Sequence, residues 1–546
     1  MKNLLFTTLL LVMSLSLSAT NYYFDSEKGK DKNDGISKSK PFKSLDKIAD
    51  LELLPGDNIL LKKGQVFSGN IELINVCGDG KQPIIVSSYG EGSLPIVDAK
   101  GKLSGVLIQD CSYVIVKDIE VTANGGGLKN QDKTKSYTRC GVLITAVEDG
   151  TFSNIIVDGL KIHDIFFEEP GHSRTAAETL TGNGTQNYGW GIRVLNSNPK
   201  AVLNKINIIN NSIEKVSHSG IRFTGKHSMA TQQNKNIKNA LIKDNSVLHS
   251  GGPAMQASVV ENIEFVGNST NYSGSPKDIR NWARGSGLWV WGCYNALIHY
   301  NNFRNANGPA DSAGCHIDFN NNNVMVQYNV SENNYGGFVE ILGNNHNCTY
   351  RYNVSINDGK RKMIKDVTLG AGTMIGVNGF VGFDKEPVGP FNTYIYNNTI
   401  YVKEGVNPEV GFASTVDGMM IANNIFYIED SVIHDHRKNF LPESGPIDRI
   451  FFENNLYLSK KCWPAADVVM ITDKKPMYGD AQFVNAGGTT AKDYIPTNID
   501  LVKDKSIAIP YLQGDTIGIM GGFEVKKDIL GNEINGRPDM GAIELN

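Results

Sequence analysis

Long helical patterns are nearly absent from this 546-residue chain. Apolar residues recurring every three to four positions mark an amphipathic helix, and only Ser44–Leu51 carries a short version of that spacing. Helical bundles and doubly wound α/β folds are thereby excluded. Cysteine is sparse as well. The seven residues, an odd number, include no CxxC pair, which argues against a zinc site and a full disulfide framework. Residues such as Cys315 are better read as small inward core positions. Charge imbalance is missing too. Lys and Arg number 53 against 57 Asp and Glu, a net charge of −4, so nothing calls for nucleic acid or an anionic membrane as partner. Only one long apolar run exists, Leu4–Leu17, with Lys2 before it and Leu17-Ser18-Ala19 after it. Residues 1–19 thus have the form of a secretory signal peptide, and the run is too short for a good membrane span. A secreted or periplasmic location is expected, with the oligomeric state left open.

What the chain does contain is glycine, 57 residues of it, asparagine, and many short β runs. Between Trp282 and Leu342 three segments can be superposed: GSGLWVWG, SAGCHIDF and YGGFVEIL. Each is followed by an Asn-rich turn and a second short strand. Such repetition predicts a coil of chain whose turns stack on one another. The same plan runs from Val106 to about residue 460. An Asn closes the second strand of successive units at 211, 245, 268, 301, 329, 353, 398, 424 and 455. Corners between strands need residues that tolerate left-handed backbone, and stacked amides can bond along the axis. The predicted fold is all-β, a right-handed parallel β-helix with a short N-terminal capping helix at Ser44–Leu51. Residues 20–105 form the cap and first rungs, 106–460 the coil with inserted loops, and 461–546 the last rungs and a C-terminal cap.

Strand alternation assigns the faces. Aligning Ser286, Ala313 and Gly336 sets Leu288, Cys315 and Gly337 inward, with Val290, Ile317 and Val339. The outward columns are then Trp289–His316–Phe338 and Trp291–Asp318–Glu340. Parallel strands lie about 4.8 Å apart, so Asp318 and Glu340 are expected to be next-rung neighbours.

Both ends carry a resemblance. The opening YYFDSEKGKDKNDGISKSKPFKSLDKIADLELLPGDNILLKKGQVFSG and the close DILGNEINGRPDMGAIEL resemble the entry and exit segments of secreted pectin-lyase-like β-helix proteins. That superfamily includes polysaccharide lyases and glycoside hydrolases, and the resemblance implies a carbohydrate-active enzyme without fixing the family. The polygalacturonase motifs are not present, nor is the acidic cluster with paired Arg or Lys of calcium-dependent pectate lyases.

Paired carboxylates perform glycosidic acid–base chemistry, and aromatic faces stack on sugars. Asp318 and Glu340, flanked by Trp289 and Trp291, are therefore the leading catalytic candidates. Asp311, in the loop before the same strand, is a third carboxylate, and His316 a proton-transfer or binding group. Arg193 and Arg222 occupy the position of His316 on earlier rungs and suit carboxylate or sulfate binding; salt bridging along the ladder is the competing reading. His218 sits at a strand entry, and Trp282 with Arg284 could wall a cleft. His434-Asp435-His436 has metal-like residue types in a single local cluster.

Three functions stay open on these residues. A glycoside hydrolase needs no cofactor and would act on a polysaccharide or its oligosaccharides. A polysaccharide lyase would use His316, or an Arg or Lys, as base, with Arg or calcium held by Asp318 and Glu340 neutralising the uronate. A non-catalytic carbohydrate binder would keep its ligand without either acid.

Overall fold

The computed structural model describes residues 19–127, 138–179, 187–226, 233–365, 367–434, 449–463 and 472–545. Nearly all of the proposed signal peptide, and Asp435 and His436, lie outside those residues. Among the described residues there are three parallel sheets of 14, 12 and 14 strands, and within each sheet successive neighbours are almost always three strands apart in sequence. One strand enters each sheet per turn, which is the topology of a parallel β-helix. Inward Val, Ile, Leu and Phe side chains from Phe24 to Cys462 form one continuous core.

Where the capping helix was expected, Leu45–Asp50 forms a short helical element with Leu45 and Ile48 buried. The element is a 3-10 helix rather than the expected α-helix. Six residues give too few i→i−4 bonds to offset nucleation, whereas short 3-10 pieces are common. At the other end, the C-terminal segment folds back along the first sheet. Lys527, Gly522 and Phe523 offer their carbonyls to Tyr328, Arg351 and Tyr396.

The asparagines form an axial ladder. Asn211 Nδ2 donates to Asn245 Oδ1 at 2.9 Å, and the pattern repeats through Asn268, Asn301, Asn329, Asn353, Asn398, Asn424 and Asn455 to Asp473. These residues do not themselves adopt the left-handed backbone expected of them. The residue before each one does: Asn210, Asp244, Gly267, Tyr300, Tyr328, Tyr352, Asn397, Asn423 and Asn454 all have positive φ. Turning and bonding are thus divided between adjacent positions. Bulky tyrosines hold an unusual conformation there, and the rings of Tyr300 and Tyr328 stack 5.1 Å apart. All seven cysteines are free and six are buried.

Candidate active site

The 12-stranded sheet presents the columns that matter. Arg193 pairs with Arg222, Arg222 with Gln256, Gln256 with Trp289, and Trp289 with His316. Beside it run Thr224, Ser258 and Trp291. On the next rung the expected alignment slips. Ile317 pairs with Ile341 and Ala313 bridges Gly337, a constant offset of 24 residues. His316, not Asp318, is therefore opposite Glu340, and Asp318 is opposite Leu342. Phe338 faces inward at 2 % exposure. The cause is local. Gly336-Gly337 opens the strand, with Gly337 at φ +143, and apolar residues follow at both parities, so alternation cannot fix the register.

Asp318 and Glu340 nonetheless line the same cleft, about 560 Å³, with Asp311, His316, Arg284 and Trp289. Trp282 and Trp291 also border it. A smaller cavity of about 160 Å³ adjoins behind Asp311 and Glu340 and is lined in part by Arg361 and Asn378.

Asp318 follows the strand Cys315–Ile317. Its backbone is fixed by Asn321 and Asn345, whose side-chain amides donate to its carbonyl at 2.6 and 2.8 Å. Its carboxylate accepts from Trp289 Nε1 at 2.6 Å and from the Phe319 N–H at 2.8 Å. Burial pushes its pKa up to about 6, against the lowering influence of His316 and those two donors. Asp311 stands in the preceding loop, where it and Ser312 both have positive φ. Burial acts on it too, but Arg284 outweighs burial and holds it below the usual carboxylate range. The pair is two-pronged: Arg284 Nε donates to Oδ2 at 2.6 Å and Nη2 to Oδ1 at 3.3 Å. Arg361 Nη1 fixes the Asp311 carbonyl at 2.7 Å. One cleft therefore holds two carboxyl groups whose surroundings drive their pKa values apart, Asp318 upward by burial and Asp311 downward by Arg284. His316 stacks on Trp289 at 5.3 Å, and its Nδ1 lies 3.5 Å from Glu340 Oε2 without hydrogen-bond alignment.

Not every residue picked from sequence reaches the cleft. His218 is fully buried, sandwiched between Trp190 and Trp282 at 4.5 and 4.4 Å. Burial, with Arg222, Arg193 and Arg174, drives its pKa well below the usual histidine value. It is held within the packing, because rings from two other segments cover both of its faces. Arg222 lines the cleft, while Arg193 lies one rung behind it, over the Trp190 ring at 4.8 Å. The alternation missed Phe319, Phe380 and Phe383, which form an aromatic wall. The longest interval in the Asn ladder, 45 residues from Asn353 to Asn398, marks an insertion there but not the face it covers.

Among the described residues no group of three or more His, Cys, Asp or Glu is placed to hold a metal ion, and no helix is long and apolar enough to cross a membrane. A parallel β-helix with carboxylates in a groove on one sheet is similar to the β-helix carbohydrate-active superfamily that the end segments resemble. No family model matches the chain. It is 25% identical, over 617 aligned positions, to the lacto-N-biosidase of Bifidobacterium longum subsp. longum; the alignment takes in 96% of this chain and 36% of that protein. The chain thus spans about a third of the relative's length. The crystal structure of the GH136 lacto-N-biosidase from Eubacterium ramulus superposes with TM-score 0.56 at 23% identity, covering 76% of this chain and 68% of the other. Its selenomethionine derivative gives 0.52 at 19% identity, covering 84% and 68%.

Proposed function

We propose that this chain is an exported glycoside hydrolase, with Asp311 and Asp318 as its two working carboxylates. The observation that carries the reading is two carboxyl groups lining one cleft in opposed surroundings, Asp311 forked by Arg284 and Asp318 buried against the Trp289 indole. Paired titratable groups whose surroundings drive their pKa values apart divide acid from base work. One carboxyl gives its proton to the glycosidic oxygen as the C–O bond breaks. The other attacks the anomeric carbon or takes a proton from the attacking water. Burial, which raises the pKa of Asp318, suits it to the acid, and Arg284, which lowers that of Asp311, suits Asp311 to the base or nucleophile. Glu340, half-exposed and opposite His316, moves from the pair to a supporting place beside it. Trp289, Trp291 and the phenylalanine wall offer ring faces to a sugar. Likeness to a lacto-N-biosidase supports hydrolysis over elimination, and the apolar leader supports export.

The test is a panel of oligosaccharides that includes glycans ending in lacto-N-biose, scored together for new reducing ends and for ultraviolet absorbance. New reducing ends without unsaturation are expected. Asp311→Asn and Asp318→Asn should each lower kcat by about 10²–10⁴-fold, the range for loss of a general acid or base, with circular dichroism unchanged. Full activity in either variant, or an unsaturated product, refutes the assignment.

A further inference from the structure

The cleft is acidic at the rung of Asp318 and cationic three rungs away. Arg193 and Arg222 face each other on adjoining strands. Nine other arginines among the described residues donate to a carbonyl or a carboxylate. These two do neither, and the Nε of each is buried without a partner. No carboxylate acts on Arg222. Burial and Arg193 together lower its pKa to about 9. Two like charges on adjoining strands, partly buried and with no carboxylate beside them, are costly. The surroundings add donors rather than acids. Thr224 and Ser258 line the cleft beside Arg222, and the Thr224 hydroxyl also lacks a partner. Gln256, the next residue of the column, has a buried amide oxygen without a donor.

We propose that this end of the cleft is an anion subsite, built on Arg222 and backed by Arg193, that receives a carboxylate or sulfate carried by the glycan. The assignment rests on the reading that the cleft binds glycan, and it narrows the substrate to one with an acidic substituent. Guanidinium forks suit both oxyanions by paired N–H···O bonds. Arg222, Gln256, Trp289 and His316 stand on successive rungs, so the subsite lies about 14 Å from the acids at about 4.8 Å per rung. The acidic group therefore belongs to a sugar other than the one whose bond breaks. With carboxylates at one end and guanidinium at the other, the cleft admits such a chain in one direction only.

Saturation-transfer NMR at low salt, on the Asp311→Asn/Asp318→Asn variant, separates this subsite from the hydrolytic reading, because no turnover is required. The probes are glucuronate, sodium sulfate as competitor, and glucose. Glucuronate should bind, glucose should not, and sulfate should displace glucuronate. Arg222→Gln should weaken glucuronate at least tenfold. Arg222→Lys, which keeps the charge but loses the fork, should fall between, and it carries the test if the Gln variant does not fold. If glucose 6-sulfate, run as a further probe, binds and glucuronate does not, the substituent is a sulfate. Equal signals from glucuronate and glucose, or full binding by Arg222→Gln, overturn the proposal.

Discussion

Replacing Trp289 by Phe removes one hydrogen bond to Asp318 and little else. The phenyl ring keeps a face for His316, while the indole N–H that reaches Oδ2 at 2.6 Å is gone. A hydrogen bond to a charged acceptor is worth about 1.5–3 kcal/mol. At about 1.4 kcal/mol per pH unit, its loss corresponds to about one to two units. The indole stabilises the ionised carboxylate, so its removal raises the pKa of Asp318 from about 6 to about 7–8. The assay is the pH dependence of kcat/KM for wild type and Trp289→Phe. If Asp318 must be protonated to act, the alkaline limb moves up and activity extends to higher pH. If it must be ionised, the acid limb moves up and activity is lost at low pH. Either movement identifies its role. Limbs that both stay in place would refute the claim that Asp318 is catalytic and tuned by Trp289.

Asp358 is buried at 1 % exposure, and burial raises its pKa to about 7 against the pull of its hydrogen-bond donors. A carboxyl raised in the folded state contributes stability below its unfolded value near 3.8 and loses it as pH rises through about 7. Asp358→Asn should abolish that loss, gaining up to about 4 kcal/mol over wild type at pH 7.5 and nothing at pH 3.5, read from urea melts. Arg284→Met leaves the Asp311 carboxylate without its fork and should cost about 3–5 kcal/mol of stability at neutral pH, measured by the same melts. Phe383 is 80 % exposed on the aromatic wall. Phe383→Ala should raise KM by about 2–10-fold through loss of about 0.5–1.5 kcal/mol of ring contact, with kcat unchanged in steady-state kinetics.

The coil was legible because the Asn period and the inward β-branched residues are dictated by its geometry. Trp289 and His316 were aligned correctly because Leu288, Val290, Cys315 and Ile317 alternate cleanly around them. The following rung was misaligned where Gly336-Gly337 and a mixed apolar run erase that alternation. Asp311 was visible only as a loop acid, since its importance comes from Arg284, 27 residues earlier. No local pattern links the two. The 3-10 geometry at Leu45–Asp50 has a simpler reason, namely length. Phe380 and Phe383 were hidden because an insertion's position in sequence does not say where it folds.

The axial amides all point the same way: each passes its N–H toward the next residue up the chain, and the series ends on the Asp473 carboxylate. Their dipoles add head to tail and finish against a negative charge, so the column has a polarity that the sheets around it lack. A single reversed amide would set hydrogen against hydrogen on one side and oxygen against oxygen on the other. The terminal anion therefore dictates the sense of every member before it, and the coil carries a compass needle from Asn211 to Asp473.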